Sequence, residues 1–370
     1  MEAKTVLLDL KGHTASDDKP LMLQSILFCP VLKWVYQELL ACDVRRFFVI
    51  CDARWHEEVR SILPDEENVR LFPDALPALQ ECVGEVLVIP GAVLPVMAFG
   101  ASPIYCADAA LLQQMQQNGV ALDVRPAQGQ EALFWLPVHS ALELQRAMPL
   151  CRDTLLSRHI ENGVTIIDPV TTYIDPRVSI AAGTTILPGT ILRGDTSIGS
   201  GCEIGPNAMI RDSVVGDDTT VNASQVNESR IGCHTTVGPF TYVRPHCTIG
   251  DHCRVGDFVE VKNSVIGNGT KISHLTYVGD SDVGERVNFG CGTVTTNYDG
   301  HKKYRCTIGN DAFIGCNTNL IAPVTLGDAC YTAAGATVTK DVPADALAVA
   351  RARQVNLDGW AAQFRKTWKK

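Results

Sequence analysis

From Ile174 to Val338 the chain sets an aliphatic residue at every sixth position for long stretches. Ile174, Ile180, Ile186, Leu192, Ile198, Ile204 and Ile210 hold one stride. The phase slips through Val215, Val221 and Val226, then resumes at Ile231, Val237, Val243, Ile249, Val255 and Val261. Ile266, Ile272 and Val278 carry it on, and after a break Ile308, Ile314, Leu320, Leu326 and Val338 complete it. Gly, Asp, Asn and Pro crowd the positions just after these aliphatics. A stride of six fits neither a helix of about 3.6 residues per turn nor the alternation of a half-buried strand. It is the period of a parallel β-helix, in which each hexad supplies a short strand and a turn, and three hexads close a triangular coil of about 18 residues. Each aliphatic points into the prism and stacks on its counterpart one coil away, so stability is a sum over coils. Every buried Ile or Val then contributes about 1.5–3 kcal/mol.

The break between Val294 and Ile308 is polar and turn-rich: Thr295, Thr296, Asn297, Tyr298, Asp299, Gly300, His301, Lys302, Lys303, Tyr304, Arg305. Such a stretch cannot fill an apolar column, so it is expected to loop out and offer a place for a site. The first 160 residues follow another rhythm. Thr5–Leu10, Arg46–Cys51 and Val86–Pro90 read as buried strands, and Val31–Ala41 and Ala109–Asn118 have helical spacing. That order predicts a small parallel sheet of the α/β kind, with Ala141–Glu161 as a helical connector.

The formal charge of −9 comes without a basic stripe beside aromatics, which argues against a nucleic-acid partner. The opening Met1–Lys4 leads into an apolar run too short for a signal peptide or membrane span. The 14 cysteines have no paired rhythm and read as reduced cytosolic thiols, so the expected location is cytoplasmic and the Asn-x-Ser at Asn227 is incidental.

Several motifs in order carry a resemblance: Gly238-Pro239-Phe240 with Arg244-Pro245; Phe258-Val259-Glu260-Val261-Lys262; His274-Leu275-Thr276-Tyr277-Val278-Gly279-Asp280; Asn297-Tyr298-Asp299-Gly300; Ala322-Pro323-Val324; and Thr337-Val338-Thr339-Lys340-Asp341-Val342. With Glu161-Asn162-Gly163-Val164-Thr165-Ile166-Ile167-Asp168-Pro169, residues 158–351 resemble the acetyltransferase half of the bacterial bifunctional N-acetylglucosamine-1-phosphate uridylyltransferase/glucosamine-1-phosphate acetyltransferases. The resemblance implies a left-handed coil, a homotrimer with sites between neighbouring prisms, and acetyl transfer from acetyl-CoA to the amine of glucosamine-1-phosphate on the route to UDP-N-acetylglucosamine and peptidoglycan. The expected layout is an α/β domain over 1–140 that looks like a truncated nucleotidyltransferase and a helical connector over 141–164. A left-handed parallel β-helix over 165–345 and a tail over 346–370 follow.

Acetyl transfer to an amine needs a base, a positioned acyl donor and a stabilised oxyanion. His274 matches the family's base, and imidazole titrates near physiological pH. Arg244 suits a phosphate as a fork, Lys303 as a point charge. Lys262, Tyr277 and Asn288 match the family's other contacts to the amino-sugar phosphate. For acetyl-CoA the resemblance points to Cys291, Asn297, Tyr298, Cys316, Ala334 and Arg351. Cys291 replaces a common Ala and Cys316 a common Ser, and a thiol is the poorer donor. No metal is expected: His246-Cys247 and His252-Cys253 are six apart and so face different sides of the prism.

The family's nucleotide loop is glycine-rich with a basic tail. Here Lys11-Gly12-His13-Thr14-Ala15-Ser16-Asp17-Asp18 keeps one glycine and no Arg, and Gly91-Ala92 stands where the family has a metal-binding Asp. Uridylyl transfer is therefore expected to be absent. The other readings are a non-catalytic sugar-phosphate-binding or scaffold paralogue and an acetyltransferase for another amino-sugar phosphate. In the tail, Trp360, Phe364 and Trp368 have helical spacing and are expected to pack on the prism or to close over the coenzyme.

Overall fold

The computed structural model describes residues 5–15, 18–97 and 102–368, which form two compact units, Met1–Val214 and Val215–Lys370. Met1–Lys4, Ser16 and Asp17 of the opening loop, and the last two residues of the tail lie outside the described residues.

The first unit begins with a six-stranded sheet in the order Val69–Phe72, Arg46–Ile50, Thr5–Asp9, Glu85–Ile89, Tyr105–Asp108, Gln130–Glu131. The first four are parallel, as their apolar runs predict. The last two are antiparallel, which corrects the expectation of an all-parallel sheet. A parallel return needs a long crossover, usually a helix. Between Ile89 and Tyr105 the described residues hold instead the strand Val93–Met97, which pairs with Trp135–Pro137. Helix Val31–Ala41 buries Val31, Leu32, Trp34, Val35, Tyr36 and Leu39. The connector helix Ala141–Glu161 opens on a capping box: the Ser140 hydroxyl accepts the Glu143 N–H, and the Glu143 carboxylate accepts the His139 N–H at 2.8 Å. Its stripe Leu144, Ala147, Cys151 and Leu155 joins the same core as Val6 and Leu8 of the sheet. The first coils follow, with Thr165–Ile166, Thr185–Ile186 and Glu203–Ile204 stacked in parallel on one face.

In the second unit the strands repeat on three faces of a left-handed parallel β-helix. The first face includes Thr236–Val237, Arg254–Asp257, Lys271–His274, Asn288–Phe289, Phe313–Ile314 and Tyr331–Thr332. The second includes Tyr242–Val243, Glu260–Lys262, Tyr277–Gly279, Val294–Thr296 and Asn319–Ile321. The third includes Thr248–Ile249, Val265–Ile266, Ser281–Val283, Cys306–Ile308 and Val324–Leu326. Every aliphatic of the six-residue stride is buried.

Two threonines extend the column where the stride was read as broken. Thr295 pairs with Leu320 and is fully buried, and Thr332 stacks on Ile314. Their hydroxyls are paired: Thr295 Oγ1 accepts the Gly279 N–H at 2.7 Å, and Thr332 Oγ1 accepts that of Gly315 at 2.9 Å. A β-branched side chain with a satisfied hydroxyl takes the place of Val, so the excursion starts at Asn297 rather than Thr295. Buried threonines also close the corners. Thr235 Oγ1 donates to the Gly250 carbonyl at 2.9 Å and accepts the Cys253 N–H at 3.0 Å, stitching successive coils.

The residue three positions after a core aliphatic often takes a left-handed backbone. Asp218, His234, Asn263, Asp280 and Asn317 do so at little cost, whereas Phe258 at φ 56° and Leu275 at φ 45° do so as bulky residues. The tail helix Trp360–Lys366 buries none of its residues. Trp360 stacks on Phe364, which meets Trp368 edge-on, so the expected packing of this stripe on the prism is not found.

Candidate active site

His274 ends the strand Lys271–His274, two residues past the core Ile272, where the first face turns into the second. One coil earlier the same position holds Asp257, its register partner. The two side chains meet, His274 Nδ1 to Asp257 Oδ1, at 2.7 Å. A carboxylate can only accept, so Nδ1 carries the proton and Nε2 keeps a lone pair facing outward. The hydrogen bond from His274 holds the Asp257 carboxyl below the usual carboxylate range. Asp257 was not read from the sequence. The signal was there, since one coil back from the imidazole is the one position able to touch it.

The same position in successive coils is held by Cys291, Cys316 and Ala334. Three of the six residues that the resemblance assigns to the acyl donor thus share one file with His274. Arg351 lies past the last coil, its Cδ 3.8 Å from where a Cβ on Gly335 would be. Asn288 projects from the first face between Lys271 and Phe313.

The cations gather at the next corner, where the second face turns into the third. Arg244 Nη1 donates to Glu260 Oε1 at 2.8 Å, and Lys262 Nζ lies 3.4 Å from Asp280 Oδ2. Asn263 donates to the other oxygen of Asp280 at 2.5 Å, and Asn297 donates to Oδ2. Burial alone would raise the Asp280 carboxyl; hydrogen bonds from Asn263 and Asn297 and the Lys262 charge outweigh it and hold it low. Lys303, from the excursion, stands beside Lys262. The Lys262 ammonium holds the Lys303 ammonium below its ordinary value. Two touching ammonium groups with a single neighbouring carboxylate form a place that attracts an anion.

The excursion returns by its own contacts. The Asp299 carboxylate accepts the N–H groups of His301 and Lys302 and the Tyr304 hydroxyl, and the Tyr304 N–H donates to the Asn297 carbonyl at 2.9 Å. Arg305 pins its end, forking onto Asp282 and donating to the Asn263 carbonyl. Asn297 Nδ2 also reaches the Tyr277 hydroxyl at 3.4 Å, so this amide, expected at the acyl donor, is engaged at the cation corner. The Tyr298 hydroxyl donates to the Gly300 carbonyl and its ring is exposed. Gly279 makes room for Tyr277: a Cβ there would lie 2.3 Å from the phenol oxygen. Arg244, Lys262, Tyr277, Asn297 and Lys303 are therefore together, and His274 stands with the donor file on the other edge of the short second face.

In the α/β part the loop after Thr5–Asp9 has its groups spent. Lys11 Nζ bridges Asp74 at 3.1 Å and Asp52 at 3.4 Å. His13 Nδ1 accepts the Ala92 N–H, and its ring fills the space a Cβ on Gly91 would need. Burial, then the neighbouring His139, lowers the His13 pKa and keeps this acceptor neutral. Among the described residues no group of three His, Cys, Asp or Glu side chains could hold a metal, and no helix is long and apolar enough to cross a membrane.

Residues 177–212, 228–263 and 305–340 match the family model for the bacterial transferase hexapeptide (six repeats). The chain is 53% identical over 225 residues to the bifunctional protein GlmU of Clostridium acetobutylicum, covering 61% of this chain and 49% of the relative. It is 48% identical over 260 residues to the bifunctional protein GlmU of Clostridium kluyveri, covering 70% and 56%. A solved Arabidopsis UDP-N-acetylglucosamine acyltransferase aligns at 18% identity and a TM-score of 0.32, covering 56% of this chain and 72% of that one. The chain spans about half the length of the curated relatives it matches. By repeat and by sequence it is a hexapeptide-repeat acyltransferase related to the bifunctional GlmU proteins.

Proposed function

We propose that this protein moves the acetyl group of acetyl-CoA onto the amine of glucosamine-1-phosphate, in a cytoplasmic homotrimer whose clefts lie between neighbouring copies. The observation that carries the reading is the Asp257–His274 pair, set in one file with the donor positions and one corner from paired cations. His274 Nε2 takes a proton from the substrate ammonium or attacking amine; the nitrogen forms a bond to the thioester carbonyl carbon. As the tetrahedral centre collapses, the C–S bond breaks and the coenzyme leaves as its thiol, with the proton returned through His274. Asp257 holds the ring in the working tautomer and stabilises the imidazolium that forms. Arg244, Lys262 and Lys303 take the phosphate, and Tyr277 lines the sugar side. Glucosamine-1-phosphate, with an amine and a phosphate on opposite ends of one ring, matches a base and a cation corner separated by a short strand.

The α/β part is assigned no uridylyl transfer. Its lysine is neutralised by two carboxylates, and the main-chain donor of Ala92 is taken by His13, so the phosphate-cradling N–H groups such chemistry needs are not free there.

Thiol release from acetyl-CoA, followed across a panel of amino-sugar phosphates, tests the assignment. Release with glucosamine-1-phosphate, lost in His274→Ala without change in particle size, supports it. Equal release in the variant, or release with every amine except this one, contradicts it.

A further inference from the structure

We infer that Cys291 and Cys316 form a redox-sensitive dithiol, a modification site that an oxidant of the peroxide class converts to a disulfide across the donor corner. Ten of the fourteen cysteines are buried, and burial pushes several of them up, Cys306 and Cys51 to about 11. Cys291 is half-buried and Cys316 is exposed. They are 25 residues apart in sequence, yet they occupy one position in consecutive coils. Phe289 pairs with Ile314, and two residues on the Asn317 N–H donates to the Cys291 carbonyl at 2.8 Å, so the parallel ladder continues through the corner.

Facing residues of neighbouring strands have Cα atoms about 4.8 Å apart, inside the range of about 4.4–6.8 Å that a disulfide takes. A Cβ built on Gly290 would come within 2.8 Å of the Cys316 Cα, which shows how closely the two turns approach. Cys233, the other half-buried thiol, has Asp251 at the matching position one coil on and no thiol. Side chains on parallel strands leave their Cβ atoms nearly as far apart as the Cα atoms, so closing the bridge draws the turns together by about 1 Å. A bridge made against that resistance is readily reduced, as a reversible cytosolic disulfide must be.

The chemistry balances with hydrogen peroxide. One thiolate attacks a peroxide oxygen, the O–O bond breaks, and hydroxide leaves, giving a sulfenic acid. The second thiolate attacks that sulfur and displaces the hydroxyl. Two thiols lose two protons and two electrons, and the peroxide becomes two waters. The consequence rests on the proposed activity: the bridge lies in the file of His274 and Ala334, where the acyl donor would lie, so oxidation lowers affinity for acetyl-CoA.

The full-length protein is treated with a small excess of hydrogen peroxide, digested without reduction, and searched by mass spectrometry for linked peptides; acetyl-CoA binding is titrated in parallel. A linked pair carrying Cys291 and Cys316 is expected before any other, absent in Cys316→Ser and removed by dithiothreitol. Affinity for acetyl-CoA falls by about tenfold or more and recovers on reduction, equivalent to about 1.4 kcal/mol. Failure to form this pair, or faster formation of a different one, overturns the dithiol. A pair that forms with donor affinity unchanged overturns its control of binding. Reduced protein that binds no acetyl-CoA counts against the proposed activity, whereas the linked peptide is read by mass alone and still decides the dithiol.

Discussion

Asp257 acts on the reaction through His274, since its carboxylate meets the imidazole at 2.7 Å. Asp257→Asn keeps the size of the group but allows the ring to flip or change tautomer. The expected result is a kcat lowered by roughly 10–100-fold with little change in KM, and an altered acid limb of the pH profile; an unchanged profile would mean the pair is structural only. At the other corner, Lys303 loses its proton before an ordinary lysine as the pH rises, because Lys262 stands beside it. Its contribution to phosphate binding is complete at neutral pH and fades toward alkaline pH through that depressed value. KM for the sugar phosphate should climb earlier than the ionisation of a free lysine predicts, and Lys303→Ala should raise the neutral KM and flatten the climb. Most of these residues were legible in the motifs. Asp257, Glu260 and Asp280 were not, because their partners sit 16 to 18 residues away and only the coil register brings them together.

At the scale of the element, the column was legible from its aliphatics and its ends were not. Thr295 and Thr332 looked polar in sequence, but each has its hydroxyl bonded inside the coil. The lone antiparallel edge of the α/β sheet was hidden for another reason: strand direction depends on what joins the strands, and the apolar runs of Glu85–Ile89 and Tyr105–Asp108 look alike in either direction. A fully buried aliphatic of the column, Ile272, should cost about 2–5 kcal/mol when cut to Ala, read as a drop in the denaturant midpoint at constant m-value. Ile198→Asp places a charge in the same kind of dry column and should abolish cooperative unfolding of its coils. Gly279→Ala tests the second face without touching the column. The added Cβ must displace the Tyr277 phenol, so KM for the sugar phosphate rises while the melting temperature moves little.

For the whole molecule, the account sets two unlike parts in one chain: a sheet whose loop ends are sealed by its own side chains, and a prism whose corners carry unsealed chemistry. Light scattering is expected to show a particle of three 40.1 kDa chains. Incubation with UTP, magnesium and N-acetylglucosamine-1-phosphate is expected to release no pyrophosphate above background. The central claim is that one corner binds the sugar phosphate and the next performs the transfer. Calorimetric titration of glucosamine-1-phosphate into the wild type, His274→Ala and Lys262→Ala proteins, with turnover measured on the same samples, tests it most directly. Binding preserved in His274→Ala with turnover gone, and binding weakened at least about tenfold in Lys262→Ala, is the predicted pattern. Wild-type binding in Lys262→Ala, or wild-type turnover in His274→Ala, would contradict it.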